Sequence, residues 1–399
     1  MPIATLLKSP IYRIHKVTFS SILDYFIYLC FVGFIFVDFI TGVLLSKGLP
    51  SIGVPFKLFL MLLIFLSIKR EKKFLLLLYF FTLFTLCCLS YFFSRIADFS
   101  NSMSMILKIM MYPFILMYLE DSYRLKSYEL KRICTINLLV IFFNQLLGIA
   151  GLGLQTYGTD GGFGIKGFFY DGNAMAVVCF CLFVFFYSIE KNLIFAFMAF
   201  FSSLLIGTKT SVLAIILYFF MVKFYYSSRK TKKIIFVLFI SVVFFFYYLI
   251  AFTDVFKFQI EKITRLYNLF DGNILSVILS GRNLDLQNHL LIYKENFGLR
   301  NLLFGDGFLK GEKIIELDFF DTLFSYGSLF CLSITIAYLY LIHRNRKNRN
   351  LLFFNLLIIL ITFTSGHVWF NTSTALFFVI NNVYKKVETY NNSCGGNFL

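Results

Sequence analysis

The chain has 399 residues, of which 59% are hydrophobic and only 15% are charged. A soluble globular domain averages about 45–50% apolar and about 25% charged residues, so the composition excludes an ordinary soluble fold. The net charge of +16 would suit a nucleic-acid partner. However, the positive residues lie in short clusters between apolar blocks, which is the pattern that reports membrane topology. We therefore expect a membrane protein with no nucleic-acid partner.

The apolar blocks have roughly the length that crosses a hydrocarbon core of about 30 Å. They lack the two-residue alternation of a membrane β-barrel, so we expect an all-α polytopic membrane protein with about twelve transmembrane helices. In chain order the predicted spans are 22–41, 55–68, 74–92, 105–119, 133–152, 174–189, 193–206, 212–226, 234–252, 319–342, 351–370 and 375–384.

The distribution of Lys and Arg predicts the orientation. With the N-terminus inside, the inner segments carry most of the 37 Lys and Arg residues. The positive residues of the long outer loop do not count against this orientation, because long loops cross a membrane regardless of their charge. Both termini are then cytoplasmic. The predicted parts are a membrane domain over 1–253, a large outer loop over 254–318, a second membrane part over 319–385 and a cytoplasmic tail over 386–399. The basic N-terminus has no small-residue cleavage site, so we expect no cleavable signal peptide.

Five polar residues lie inside the predicted spans, where a polar side chain requires a structural or functional explanation. For Asp24 and Asp38, which lie near opposite ends of the first span, we expect structural roles at the two interfaces. Asn144 and Gln145 are expected to form interhelical hydrogen bonds. Lys108 lies a turn inside the outer end of its span, where it either reaches up to the interface or faces an outer cavity.

Two short outer segments could bind a ligand. The segment 153–173 is rich in glycine and aromatic residues, which suits close approach to a sugar; its Tyr170 could stack on the sugar, and Asp171 and Asn173 could bind hydroxyls or cap the next helix. A plain turn with interfacial aromatics is the alternative. In the turn 207–210, Lys209 precedes a helix whose N-terminus faces out, and this pairing makes sense if an anion sits there.

The long outer loop carries the other candidates. Arg282 offers a planar fork that binds phosphate in a bidentate way, although a surface arginine would look the same. Glu316, Asp318 and Asp321 begin the next span, and the last two share a helix face. A carboxylate at this mouth could act as a general base, or the three could simply complement the helix dipole.

Taken in order, four stretches resemble the superfamily of O-antigen polymerases and O-antigen ligases. The stretches are Gly167-Phe168-Phe169 with Asn173-Ala174-Met175-Ala176, then Gly207-Thr208-Lys209-Thr210-Ser211, then Ser280-Gly281-Arg282 with Leu303-Phe304-Gly305-Asp306-Gly307, and finally the acidic run from Glu316 to Gly327. Lys209 stands where ligases usually have arginine, and the run before the tenth span is acidic where ligases tend to have a catalytic histidine. Both departures favour the polymerases.

The resemblance implies an inverting GT-C-like glycosyltransferase in the bacterial inner membrane. Its donor would be a growing glycan on undecaprenyl pyrophosphate, and its acceptor a repeat unit on the same lipid. The implied partners are this lipid-linked oligosaccharide, membrane lipid and a chain-length regulator protein. It implies no nucleotide sugar, no metal and no other cofactor. The cysteines agree, since none stands at a metal-ligand spacing.

The resemblance also suggests roles for individual residues. Arg282 and Lys209, with Arg95, would neutralise the leaving pyrophosphate, and Glu316 or Asp318 would deprotonate or orient the attacking hydroxyl. Tyr170, Asn173 and Asp321 would contact the glycan. An O-antigen-ligase-like transferase and a lipid-linked oligosaccharide flippase stay open as alternatives; a transporter would favour broken helices at the midplane. A sensor or scaffold protein should show a recognisable soluble domain, and the sequence shows none.

Overall fold

The computed structural model describes residues 19–93, 99–121, 124–156, 164–234, 267–268, 272–273, 276, 279–295, 298–305, 315–366 and 368–395. Helices dominate this part of the chain. They are α1 (Phe19–Val32), α2 (Phe34–Ser46), α3 (Gly53–Ser67), α4 (Arg70–Phe93), α5 (Phe99–Leu119), α6 (Ser127–Ile149), α7 (Gly172–Val184), α8 (Leu193–Ile206), α9 (Lys209–Tyr226), α10 (Arg282–Glu295), α11 (Leu299–Phe304), α12 (Asp318–Asn345), α13 (Arg349–Thr364) and α14 (Thr372–Gly395). A π-helical turn, Phe185–Ile189, follows α7, and a small antiparallel hairpin joins β1 (Leu154–Gln155) to β2 (Ile165–Gly167).

Six helices of the described residues are long and apolar enough to cross a membrane, or seven if the bent α1–α2 pair is one span. This agrees with an all-α polytopic membrane protein. The predicted count of twelve is not confirmed, because α3, α8 and α13 are shorter apolar helices and the predicted ninth span, 234–252, lies beyond the described residues except at Ile234. The last helix also runs to Gly395, past the predicted end of the span at 384.

Two helices form the centre of the bundle. Every residue of α7 is buried except Asn173, and α14 is buried from Ala375 to Tyr384. The two pack against each other, and α14 also packs on α5 and α6. Because α14 is enclosed by protein and not by lipid, it tolerates polar residues in its middle.

Buried asparagines tie α14 to its neighbours. The Asn382 side chain accepts from Asn345 Nδ2 at 2.7 Å and from Asn355 Nδ2 at 2.9 Å, which links α12, α13 and α14. Asn381 Nδ2 donates to the carbonyl of Cys181 on α7 at 3.0 Å. These contacts fix the register of helices whose apolar surfaces alone would slide against each other.

One asparagine also repairs the break between α1 and α2. The two helices bend by 54° at Gly33. Asn137 on α6 accepts from the Ile35 amide at 2.9 Å and donates to the Phe31 carbonyl at 2.9 Å. A bend frees these backbone groups from the helix ladder, and in a bilayer they must find a partner inside the protein.

Ion pairs hold the end of the bundle that the sequence places inside. Arg124 bridges Asp24 at 3.0 Å and the buried Asp121 at 3.2 Å, and Tyr118 also donates to Asp24. Lys72 reaches Asp121 at 3.5 Å. Asp24 therefore has the structural role that the sequence predicted. Gln145 forms its predicted interhelical bond, to the Ser202 carbonyl.

We expect the substitution Asn137→Leu to lower the free energy of unfolding by about 2–4 kcal/mol, because it leaves a buried N–H and a buried C=O without partners. The midpoint of thermal unfolding of the purified protein in detergent measures this. Thr135→Ala on the same helix is the matched control, since its exposed hydroxyl bonds only within α6. Equal midpoints for the two variants would contradict the interpretation.

Candidate functional site

The glycine-rich segment 164–171 folds down onto the ends of α2 and α6. The Asn144 side chain donates to the Lys166 carbonyl at 2.9 Å and accepts from the Phe168 amide at 2.9 Å. This side-chain amide therefore forms the pair of hydrogen bonds that a neighbouring β-strand would form with the loop. The predicted interhelical bond of Asn144 is therefore a bond to a loop. A Cβ on Gly42 would lie 1.6 Å from the Phe168 carbonyl oxygen, which shows how closely the loop approaches α2.

The end of this segment starts α7. Asp171 is the N-cap residue and accepts from the Ala174 amide at 3.1 Å, as one of its two predicted roles requires. The cap places Phe169 and Tyr170 on the same side of the bundle, and the Tyr170 side chain is 69% exposed.

The turn at 207–211 is closed by hydroxyl groups. Gly207 ends α8 with φ +76. Ser211 Oγ lies 2.8 Å from both Ser203 Oγ and Thr208 Oγ1. Thr208, one residue before Lys209, holds the N-cap position of α9.

The segment that begins at Ser280 reaches the start of α12 through Arg282. Ser280 and Gly281 have φ +56 and +83, and this left-handed turn starts α10 at Arg282. The Arg282 guanidinium lies 2.7 Å from Glu316 Oε2, with side chains 14% and 42% exposed. Arg282 Nε is buried and has no hydrogen-bond partner among the described residues.

A pair of glycines allows α11 to pack directly on α12. Gly327 has φ +80 and ψ 176 inside α12, and a Cβ there would lie 2.3 Å from the Leu303 carbonyl oxygen. Conversely, a Cβ on Gly305 would lie 2.5 Å from Ser325 C. The two glycines of the sequence motifs therefore mark one backbone-to-backbone contact.

Two aspartates clamp the start of α12 in place. Asp321 accepts from the Ile315 amide at 3.0 Å and from the Leu317 amide at 2.9 Å. Asp318 Oδ2 accepts from the amides of Val368 at 2.6 Å and Trp369 at 2.8 Å.

Between the two clamps Glu316 is held at φ +65, a conformation that costs a residue with a side chain about 1–3 kcal/mol. A Cβ on Gly366 would lie 2.6 Å from the Glu316 carbonyl oxygen. The turn is thus fixed from both sides.

A cavity of about 760 Å³ opens beside this turn. Its wall is built by α2, α3, α5, the start of α7, the turn 316–321 and the start of α14. It is lined by Asp38, Thr41, Leu45, Ser51, Val54, Lys57, Leu58, Met61, Ser104, Met105, Leu107, Lys108, Met111, Phe169, Tyr170, Asp171, Ala174, Met175, Glu316, Asp318, Asp321, Phe370, Asn371, Thr372 and Ser373.

The cavity wall contains two lysines that differ in their contacts. Lys57 Nζ lies 2.8 Å from Asp38 Oδ1, and Asp38 Oδ2 accepts from the Ser373 hydroxyl. Lys108 donates to the Met105 sulfur at 3.9 Å, which is a weak acceptor. Lys108 therefore keeps an ammonium group in the wall of a cavity without an acidic partner at ion-pair distance among the described residues.

Four of the predicted site residues meet at this cavity, namely Tyr170, Glu316, Asp318 and Asp321. Arg282 adjoins it through its ion pair with Glu316. Asn173 and Lys209 are not part of its wall, and Arg95 lies outside the described residues.

The sequence analysis did not assign Asp38 or Lys57 to a site, and it left the place of Lys108 open. Their positions in the sequence could have identified these residues, since ionisable side chains inside apolar spans cost free energy and are often functional. For Lys108, the cavity is the second of the two placements that the sequence allowed.

No family model, no curated protein and no solved structure matches this chain.

The contact between α11 and α12 predicts a strong effect for Gly327→Ala. The new Cβ would meet the Leu303 carbonyl, and a left-handed φ costs an alanine about 1–3 kcal/mol even without the clash. We expect a lower midpoint of thermal unfolding and a lower yield of monodisperse protein. Gly298→Ala is the matched control, because its φ is −155 and its Cβ would meet no atom within 4 Å. A Gly327→Ala protein as stable as the control would refute the packing argument.

Proposed function

We propose that this chain is a polysaccharide repeat-unit polymerase of the bacterial inner membrane. It transfers a growing glycan from undecaprenyl pyrophosphate to the non-reducing end of a lipid-linked repeat unit on the periplasmic face. The catalytic frame is GT-C-like, with about twelve spans and both termini in the cytoplasm. No cofactor takes part, and a chain-length regulator is a further partner.

The combination of apolar, cationic and acidic groups in the wall of one cavity carries this proposal. Val54, Leu58 and Met61 on α3 face the cavity together with Leu107 and Met111 on α5, which gives one apolar side. The wall also carries hydrogen-bonding and acidic groups from Tyr170 and the turn at Glu316.

The lysines Lys57 and Lys108 belong to the two helices of the apolar side. A lipid-linked glycan combines the matching partners for these groups, namely an apolar prenyl chain, an anionic pyrophosphate and a hydroxyl-rich sugar. An ammonium in an apolar span costs about 2.5–3.5 kcal/mol on insertion scales, and an anionic ligand would offset that cost.

The proposed reaction is a single displacement. A hydroxyl of the acceptor attacks the anomeric carbon of the donor, the bond from that carbon to the phosphate oxygen breaks, and the configuration inverts. Lys57 and Lys108 bind the leaving pyrophosphate, and their charges are worth more in a partly dry cavity than in water. Arg282 is a third cation at the margin, now neutralised by Glu316.

The clamped carboxylates suggest a narrower role for the acidic turn than the resemblance implies. Asp318 and Asp321 each accept two backbone N–H bonds, so they hold the turn that presents Glu316. In the proposal, Glu316 and Tyr170 contact sugar hydroxyls, and Arg282 joins the site when the pyrophosphate replaces Glu316 as its partner.

One observation favours a flippase as the second candidate, namely the helix break at Gly33, because transporters use broken helices to bind substrate at the midplane. The backbone groups freed near this break are already bound by Asn137, so they are not offered to a substrate. We therefore rank the flippase second.

Complementation of a deletion strain tests the function. We expect the deletion to leave the surface glycan at one repeat unit and the wild-type gene to restore a ladder on a gel. Arg282→Ala and Glu316→Ala should shorten or abolish the ladder. Lys294→Ala is the matched control, since it removes one exposed charge from the same helix as Arg282. Loss of all surface glycan in the deletion strain would instead point to a flippase or a ligase.

Lys108→Gln tests the anion site separately. We expect the affinity of the purified protein in nanodiscs for undecaprenyl pyrophosphate to fall about tenfold or more, since a charge-assisted hydrogen bond contributes about 1.5–3 kcal/mol. Lys47→Gln at the exposed outer turn should leave the affinity unchanged. Equal affinity of the Lys108 variant and the wild type would exclude Lys108 from the site.

A further inference from the structure

Asp38 differs from the other carboxylates of the cavity in the kind of partner that it has. One oxygen binds the Lys57 ammonium at 2.8 Å, and the other accepts the Ser373 hydroxyl proton. Both partners are side chains that can turn away, and both line the same cavity. The Asp38 side chain is 17% exposed, so it is neither sealed in the bundle nor open to bulk water.

Three of the remaining carboxylates are fixed by backbone amides that cannot leave without unfolding a turn. Asp321 binds the backbone amides of residues 315 and 317, and Asp318 binds those of residues 368 and 369. Asp171 caps α7. Glu316 is paired with a guanidinium at 2.7 Å and its side chain is 42% exposed, so it is more open to water than Asp38. A carboxylate that is tied to backbone amides cannot turn toward a substrate hydroxyl without leaving those buried N–H groups unpaired.

We propose that Asp38 accepts the proton of the attacking hydroxyl and that Lys57 restrains it until an anionic leaving group draws the lysine away. This inference rests on the proposed polymerase function and names both the base of that site and its control. Ser373 marks the place of the acceptor, because its hydroxyl already donates to the oxygen that a sugar hydroxyl would use.

The step balances without any further reactant. The acceptor O–H bond breaks and its proton goes to Asp38. The oxygen electron pair forms the new bond to the anomeric carbon, and the electron pair of the breaking carbon–oxygen bond leaves with the pyrophosphate. Lys57 moves from Asp38 to this pyrophosphate. Asp38 therefore loses its counter-ion only when a donor is bound, so it is the strongest base when the donor is in place for the reaction.

The test separates binding from chemistry. Purified protein in nanodiscs receives the lipid extract of the deletion strain, and chain extension is followed on a gel, while binding of undecaprenyl pyrophosphate is measured in parallel. We expect Asp38→Asn to extend chains at least about 100-fold more slowly, the ordinary contribution of a general base, and to bind undecaprenyl pyrophosphate at least as well as the wild type. Glu388→Gln, an exposed carboxylate at the far end of α14, should behave as the wild type does.

A second pair of variants guards against a folding defect. Asp38→Glu keeps a carboxylate and should retain chain extension. Asp38→Ala should be inactive and should regain activity with added formate, which fits the space and supplies the missing base. A purely structural Asp38 would give no such rescue.

Three outcomes would overturn parts of the argument in different ways. If the wild type extends no chain, the polymerase function fails. If the wild type is active and Asp38→Asn keeps more than a tenth of its rate, Asp38 is not the base. If Asp38→Asn loses undecaprenyl pyrophosphate binding, Asp38 acts by positioning Lys57 for the anion, which contradicts the restraint that we propose.

Discussion

The structure depends on one constraint, that every backbone N–H and C=O freed by a break in a helix must find a partner within the protein. Several irregular segments of the described chain are held by side chains that bond to their backbone. Asn137 serves the bend at Gly33, Asn144 serves the loop at 164–168, and Asp318 and Asp321 serve the turns around α12. Two of these irregular segments, 164–171 and the turn at 316–321, also form part of the cavity wall.

This constraint changes how the acidic motif is understood. Two of its three carboxylates accept hydrogen bonds from backbone amides. Their spacing in the sequence therefore indicates a folded turn first and a catalytic role only second. What the turn achieves is to present Glu316, in a left-handed conformation, between the cavity and Arg282. The groups that remain adjustable are side chains from α2 and α3, which lie more than 250 residues earlier in the chain. In our proposal the catalytic machinery is therefore split between a rigid C-terminal turn and a mobile ion pair near the N-terminus.

Several features followed from local sequence alone. Apolar blocks predicted the helical membrane fold because segment length and hydropathy are properties of consecutive residues, and Asp171 was identified as a possible cap from its place before an apolar run. Asp24 has the structural contacts that we expected, with Arg124 and Tyr118, because a charge near the end of a span has few other solutions. The predicted number of spans was not confirmed, since α3, α8 and α13 are shorter apolar helices and the predicted span 234–252 lies almost wholly beyond the described residues.

The sequence by itself determined that this is a helical membrane protein and that polar residues collect at a few places along it. Only the tertiary structure decided which of them share a cavity. Lys57, Lys108, Tyr170 and Glu316 lie on four separate segments, and no periodicity within any segment shows that they face each other. Asp38 illustrates the physical reason best. A single carboxylate in an apolar span can lie at an interface, stabilise the fold or take part in a reaction. Its role depends on its partners, which here are a lysine and a serine that two other helices place against it.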